Sequence, residues 1–462
     1  MTNIWRPELG DSDPPLYLGI ARALALDVAR GALRPGDRLP PQRELADALG
    51  ISLGTVTRAY AEAERRGLVK GTGRRGTLVT GRASPPGLSA LVGSRDLIDL
   101  AANHPTASLD PDLSAALKAV ARRSDAGALL GYPPAGGLPR HREAMAAWLR
   151  AHGVPADPAG VVMTAGAQHA ILVALSALCR PGDEVACEEL TFPGVKAACD
   201  ALGLRLQPIP LDGDGLLPDR LEQLCRVRPI RAVYTIPSLH NPTSAALPAE
   251  RREAVARIAQ RRDVWLIEDD LLRPLLRAPG PALSALAPER TIHVSSASKA
   301  LAGGLRVGFA LVPAGLREAV TQALQASLIA CPALNAEIVA GWIGDGTAAA
   351  TVAARRRETR ARQRRARLLL ESCGATLRSS PESYYVWLEL PPSWSADRLS
   401  REARERGVGV APAHIFAVDE RRAPNAVRLA LSAPTSRRTL DVGLRTLAEL
   451  LAGPAPRGTA AL

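Results

Sequence analysis

The chain has 462 residues, 47% of them hydrophobic and 23% charged, with a formal net charge of +12. That length supports a large core and more than one domain, and the composition is that of a soluble globular protein. The opening MTNIWRPELGDSDPP has no apolar signal region, no apolar run is long enough to span a bilayer, and the six cysteines are scattered without a CxxC pair. A cytoplasmic protein with no membrane partner, no disulfide framework and no metal site is therefore expected. The positive charge admits a polyanionic partner without requiring one.

From residue 14 the chain reads PPLYLGIARALALDVARGAL, an apolar stripe at helical spacing that stops near Gly31. RELADAL follows as a short amphipathic helix broken by Gly50, and Ser52 can cap a second helix with Leu53, Val56, Ala59, Tyr60 and Ala63 on one face. Two short helices around a glycine turn match a helix-turn-helix, whose second helix enters the major groove. GLVKGTGRRGTLVT then gives two short β stretches around a basic tip, a wing whose Arg74 and Arg75 can reach phosphates. A small helical dimerisation arm is the alternative. The strings LRPGDRLPPQRELADALGIS and TVTRAYAEAERRGLV resemble the GntR-type winged helix along its full length. That resemblance implies DNA contacts at Arg43, Thr55 and Arg58, with help from Arg74. The chain departs from it at Leu53 and Gly54, where the family often has polar residues, so base reading there is in question but the fold is not.

Residues 81–95, GRASPPGLSALVGSR, have linker chemistry and separate a winged-helix domain at 14–80 from a second domain at 96–462. Beyond the linker, apolar runs alternate with helical stretches. GVVMT precedes HAILVALSALC, AVYTIP precedes a helix near residue 250, and VWLIEDD and TIHVSS follow. The pattern predicts an α/β domain with a mainly parallel sheet, and the last hundred residues predict a smaller α+β lobe. The arginine-rich run at 353–370 interleaves apolar and charged residues at helical spacing, which predicts a solvated helix face rather than a DNA contact.

Only four of the 58 Lys and Arg residues are lysine: Lys70, Lys118, Lys196 and Lys299. Lys299 lies in HVSSASKALAGGLRVGF, and an amine can do nucleophilic chemistry that an always-protonated guanidinium cannot. A surface lysine on a helix is the plain alternative. A phosphorylated aldehyde cofactor needs an amine, a carboxylate for a ring nitrogen, anion donors and a surface for its ring, at the carboxyl ends of strands. Lys299 supplies the amine. The triplet Glu268, Asp269 and Asp270 ends an apolar strand and supplies the carboxylate, with no choice among the three from spacing. Gly166, Ala167 and Gln168 sit where a strand turns into a helix, and Ser296, Ser298 and Arg306 can complete an anion site. Phe192 can lie on the ring or simply pack in the core. Asn241 can donate to a phenolate or serve an Asn-Pro turn. Arg428 can clamp a carboxylate or be an exposed strand residue.

In order along the chain, GYPPAGGLPRHREAMAAWL, AGAQHA, GDEVACEELTFPG, HNPTS, IEDD and SSASKALAGGLRVGF resemble a fold-type I aminotransferase dependent on pyridoxal phosphate. Joined to the winged helix, the chain resembles the MocR/GabR-type architecture over about 95% of its length. The resemblance implies pyridoxal 5'-phosphate as cofactor, Lys299 as its Schiff-base lysine and Asp269 on the ring nitrogen. It also implies a swapped homodimer in which Tyr132 reaches the neighbouring subunit's phosphate. The family usually has a Tyr two or three residues after the strand-end Asp, where this chain has Leu271 and Leu272. Cofactor binding is expected to survive that loss, and efficient transamination is less secure. The expected function is a DNA-binding transcriptional regulator that senses pyridoxal phosphate or an amino compound at Lys299. The alternative is a working aminotransferase with an appended DNA-binding domain, and a third reading is a regulator whose pocket serves only dimerisation.

Overall fold

The computed structural model describes residues 5–7, 16–29, 32–34, 36–65, 67–71, 76–80 and 97–453. The expected linker at 81–95 and the wing residues Arg74 and Arg75 lie outside them. The chain divides into two compact units, 1–88 and 89–462.

In the first unit, α1 (Leu16–Ala29), α2 (Gln42–Leu49) and α3 (Leu53–Arg65) precede an antiparallel pair, β1 (Val69–Gly71) with β2 (Thr77–Val79). Gly50 ends α2 in the left-handed conformation at φ 65°, donating back to the Ala46 and Asp47 carbonyls, and so sets the turn into α3. Ser52 caps α3, its Oγ accepting from Thr55 N at 3.2 Å. Leu24, Leu45, Val56, Tyr60, Ala63, Leu68 and Val79 share one apolar core. Leu53 does not join it. It is 41% exposed because the first helical position precedes the turn at which α3 meets its neighbours.

The second unit has two lobes. Its larger sheet contains β3 (Val161–Thr164), β4 (Glu184–Glu188), β5 (Arg205–Ile209), β6 (Ile230–Thr235), β7 (Trp265–Asp269), β8 (Thr291–Ser296) and β9 (Gly308–Leu311), in spatial order β3-β9-β8-β7-β6-β4-β5. Only β9 runs antiparallel to its neighbours. Apart from the edge strand β5, the near-continuous burial of these strands suits a sheet covered on both faces. Helix α4 (Ala167–Leu178) lies against β8 and β9, burying Ala170, Ile171, Ala174, Leu175 and Leu178 at helical spacing. Helix α5 (Pro193–Ala201) follows β4.

The smaller lobe holds an antiparallel sheet of β10 (Thr376–Ser379), β11 (Tyr385–Glu389), β12 (Ala411–Pro412) and β13 (Ala426–Ala430), in order β10-β11-β13-β12. Helices α6 (Thr347–Leu370) and α7 (Arg437–Ala452) pack together beside it. Helix α6 has the expected solvated arginines at Arg357, Arg364, Arg365 and Arg367, but two others turn inward. Arg355 and Arg362 are buried to 1% and 2% exposure. Arg355 donates to the carbonyls of Ala300 and Thr106 at 2.9 and 3.0 Å and to Asp110 at 2.5 Å, and Arg362 to those of Leu431 and Pro434 at 2.8 Å. Turns from both lobes end against this helix, and their carbonyls take guanidinium donors in place of water.

At the start of β9, Gly308 presses on the Gly166 backbone, and a Cβ added at Gly308 would fall well inside van der Waals contact. Gly308→Ala is expected to destabilise the larger unit by about 1–3 kcal/mol, the range for overpacking. The unfolding temperature of that unit reads this out, and an unchanged value would show that the Gly166 turn gives way freely.

Candidate functional site

Strands β7 and β8 run parallel and deliver their carboxyl ends to one place. Lys299 follows β8 in a turn closed by Leu301 N donating to the Ala297 carbonyl at 2.8 Å. Its Nζ donates to the Asn103 carbonyl oxygen. Burial first, and then the charges of Arg428 and Arg306, bring the amine down to about 8, while Asp269 opposes them.

The acidic triplet sorts itself by partners. Glu268 accepts from Leu283 N, Ser284 N and the His293 ring at 2.8, 3.0 and 2.8 Å. Asp270 pairs with Arg273 at 3.1 Å. Asp269, between them in strand alternation, accepts from the Tyr234 hydroxyl at 2.5 Å and is the acid coupled to Lys299. Burial pushes its carboxyl up to about 6, against the Tyr234 hydrogen bond and with the help of the Asp270 charge. Glu268, Asp270 and His293 place ligand-type atoms within 4.8 Å of one another, but Arg273 and two backbone amides already answer their charge.

Gly166, with φ 86°, precedes the first turn of α4, so the Ala167 and Gln168 amides stand among its unpaired donors. Arg306, itself at φ 52°, lies against Gly166 with Nη2 3.5 Å from the Ala165 carbonyl. Ser296 Oγ accepts from Ser298 N at 3.2 Å, while Ser298 Oγ is buried with no partner. Gln168 Nε2 donates to the Gly194 carbonyl at 2.8 Å, which keeps Gln168 beside Phe192, and a side chain on Gly194 would strike both. Backbone donors at a helix start, an exposed guanidinium and an orphaned hydroxyl fit a phosphate group.

Arg428, in β13, is fully buried. Nη1 donates to Asn241 Oδ1 at 2.8 Å and Nη2 to the Ala101 carbonyl, while Nε has no partner. Its guanidinium lies over the rings of Tyr385 and Phe416 at 5.1 and 4.7 Å, and burial lowers its pKa to about 10. No carboxylate pairs with it among the described residues, so its position suits an incoming one. Because Oδ1 of Asn241 is taken by Arg428, its amide NH₂ is the half left to offer a ligand. Leu272 is buried with Leu239, Leu275, Tyr384 and Tyr385, so no hydroxyl occupies that place.

Sequence reasoning missed Tyr234, Asn103 and Tyr385, whose hydroxyl accepts from Asn103 Nδ2 at 2.5 Å. Tyr234 had one signal, its place in AVYTIP on the strand next to VWLIEDD. Tyr132 is 88% exposed and receives no cover from its own chain. In the first unit Arg43 and Arg58 are exposed and Thr55 is half-buried against Ser52.

The model of bacterial regulatory proteins of the gntR family matches residues 16–79, and that of aminotransferase class I and II matches 95–447. The chain is 32% identical to the uncharacterized HTH-type transcriptional regulator YdeF of Bacillus subtilis (strain 168), covering 97% of this chain and 96% of the relative. This chain belongs to the MocR-type transcriptional regulators. This regulator is also 30% identical to the HTH-type transcriptional regulator TauR of Rhodobacter capsulatus, over 88% of this chain and 90% of that one. Its second unit resembles the α-aminoadipate aminotransferase LysN of Thermus thermophilus, solved with N-(5'-phosphopyridoxyl)-L-leucine, at TM-score 0.71 and 27% identity, covering 79% of this chain and 96% of that one. Fold and family agree: a GntR head is joined to an aminotransferase fold of the pyridoxal-phosphate enzymes.

A depressed amine pKa makes the neutral form available as pH rises through the folded value. In cofactor-free protein, modification of Lys299 by trinitrobenzenesulfonate is expected to rise with a midpoint near pH 8. A midpoint near the ordinary 10.5 would contradict the buried, cation-flanked amine.

Proposed function

We propose that this regulator binds operator DNA through residues 14–80 and senses pyridoxal 5'-phosphate, or an amino compound reacting with it, at the Lys299 pocket. The observation that carries the reading is the convergence of a depressed amine, a buried carboxylate and an anion cradle on one wall of strands, with a buried arginine lacking a counter-charge. When bound, pyridoxal phosphate supplies an aldehyde that captures amines and a ring that withdraws electrons. The chain's own residues then divide the work. Gly166, Ala167, Gln168, Ser296, Ser298 and Arg306 hold the phosphate. Asp269, ionised at neutral pH and steadied by Tyr234, keeps a proton on the ring nitrogen. Phe192 covers the ring, and the Asn241 amide donates to its phenolic oxygen.

Arg428 supplies the specificity: it favours an amine that also bears a carboxylate. Such a ligand would displace the Arg428 contacts to Ala101 and Asn241 and favour one lobe arrangement over another by its differential affinity. Exposed Tyr132 suits a role completed by a second copy, so the working unit is a homodimer in the cytoplasm. Arg43, Thr55 and Arg58, with Arg74, contact DNA. A working aminotransferase is the second reading, favoured by the intact Lys299, Asp269 and Arg428 and opposed by Leu271 and Leu272.

The test is binding to the DNA upstream of the regulator's own gene, followed by fluorescence anisotropy at fixed salt with and without pyridoxal phosphate. Sequence-selective affinity that changes with cofactor is expected, and Lys299→Ala should abolish the change but not the basal binding. Arg428→Gln should weaken the response to a carboxylate-bearing amine about tenfold or more, since truncating a buried charge pair costs about 2–5 kcal/mol. Binding no tighter than to random DNA, with ping-pong amino transfer to a keto acid, would replace the regulator reading with the enzyme.

A further inference from the structure

A separate cavity of 310 Å³ opens where residues 151–153, the segment 273–281 and helix α6 meet. Arg273, Arg277, Arg356 and His152 line it, and no carboxylate does. The three arginines are not equivalent. Arg273 is fully committed, with Nη1 on Asp270 at 3.1 Å, Nε on the His152 carbonyl at 2.8 Å and Nη2 on the Gly153 and Gly280 carbonyls at 3.3 and 2.9 Å. Arg356 donates only to the carbonyls of Pro274 and Leu276, at 2.7 to 3.0 Å, and has no carboxylate partner among the described residues. The Arg277 guanidinium has no hydrogen bond or ion pair among the described residues. Its backbone N–H alone reaches Glu382, at 3.3 Å. Glu382 is itself ion-paired with Arg360. Three guanidinium groups thus line one concave space, and of them only Arg273 is ion-paired, with Asp270, which does not line it.

His152 registers this surplus. Its Nδ1–H donates to the Trp148 carbonyl at 2.8 Å, which keeps Nε2 as the atom that gains or loses the titrating proton. Burial lowers the imidazole pKa, the Trp148 bond opposes, and the charges of Arg356 and Arg273 lower it further.

We propose that this cavity binds a small oxyanion, a phosphate group or a dicarboxylate, at Arg277, Arg356 and His152. The unmatched charge sets the sign of the ligand. The volume, at the small end of ligand pockets, sets its size. A recess this small admits a free anion and not a duplex backbone, whose phosphates stand on a rigid rod. The site shares no residue with the Lys299 pocket, but Arg273 joins the two through Asp270, the neighbour of Asp269.

The test is titration of the full chain with inorganic phosphate, and separately with succinate, reading the ring of His152 in protein carrying ¹³C-labelled histidine. The signal is assigned by its loss in His152→Gln. It is local to this cavity, so phosphate taken up at the Lys299 cradle does not register. An anion beside Arg277 and Arg356 should raise the His152 pKa by about half a unit or more. Arg277→Ala, at an exposed position, should weaken the binding about fivefold with an unchanged unfolding temperature. Saturation at lower phosphate than succinate assigns a phosphate ligand, and the reverse assigns a dicarboxylate. A His152 signal unmoved by either anion about tenfold above a millimolar Kd, or wild-type binding by Arg277→Ala and Arg356→Gln alike, overturns the proposal.

Discussion

The larger unit is organised around positive charge held out of water. Arg428, fully buried, and Lys299, half-buried, share a pocket in which Asp269 is the one carboxylate coupled to the amine. Carbonyl and amide oxygens answer the rest: Asn103 for the lysine, Ala101 and Asn241 for the arginine. A hydrogen bond to a neutral oxygen contributes about 0.5–1.5 kcal/mol, short of the cost of burying a charge. The deficit is visible in both groups, whose pKa values fall to about 8 and about 10. Such a pocket favours ligands that bring negative charge, and the phosphate cradle and Arg428 provide for it at two ends.

The segment from 98 to 106 makes that balance mechanical. It pairs with the small lobe at Ile98 and Asp99 through Val408 and Gly409, and Asp99 Oδ1 accepts from the Ala101 and Ala102 amides at 2.8 Å. It then offers the carbonyls of Ala101, Asn103 and Thr106 to Arg428, Lys299 and Arg355 in turn. Three cations from two lobes are thus tied by one strip of backbone. A ligand that claims the lysine and the arginine must break two of those ties.

What the sequence revealed about this site follows from residue rarity and strand ends. One lysine among very few and glycines at a strand-to-helix turn can be read locally, as Lys299 and Gly166 were, whereas an acid closing an apolar strand was narrowed locally only to Glu268, Asp269 and Asp270. Tyr234 and Asn103 could not, because they meet Asp269 and Lys299 from 35 and 196 positions away and no spacing encodes that meeting. Burial of two arginines on a charged helix was missed for a related reason. Periodicity shows that apolar and basic residues alternate on α6, but not that carbonyls from 300–301 and 431–434 arrive to receive Arg355 and Arg362. The periodic stripe on α3 likewise included Leu53, although the first turn of a helix can outrun its neighbour.

The leucines after Asp269 connect fold to function. Leu272 fills its place among Leu239, Leu275, Tyr384 and Tyr385, so its own position offers the ring no hydroxyl, while that of Tyr384 donates to the Lys299 carbonyl and that of Tyr385 accepts from Asn103. Groups that hold a cofactor stabilise the bound ground state, the role proposed for Lys299, Asp269, Arg306 and the turn at Gly166. A hydroxyl that moves with the charge of the ring earns its value in the transition state, where catalysis is decided. A chain that keeps the first and lacks the second at positions 271 and 272 would, on the proposed reading, bind and discriminate more than it turns over. That division of residues is what a sensor requires, and it agrees with a family whose other domain reads DNA.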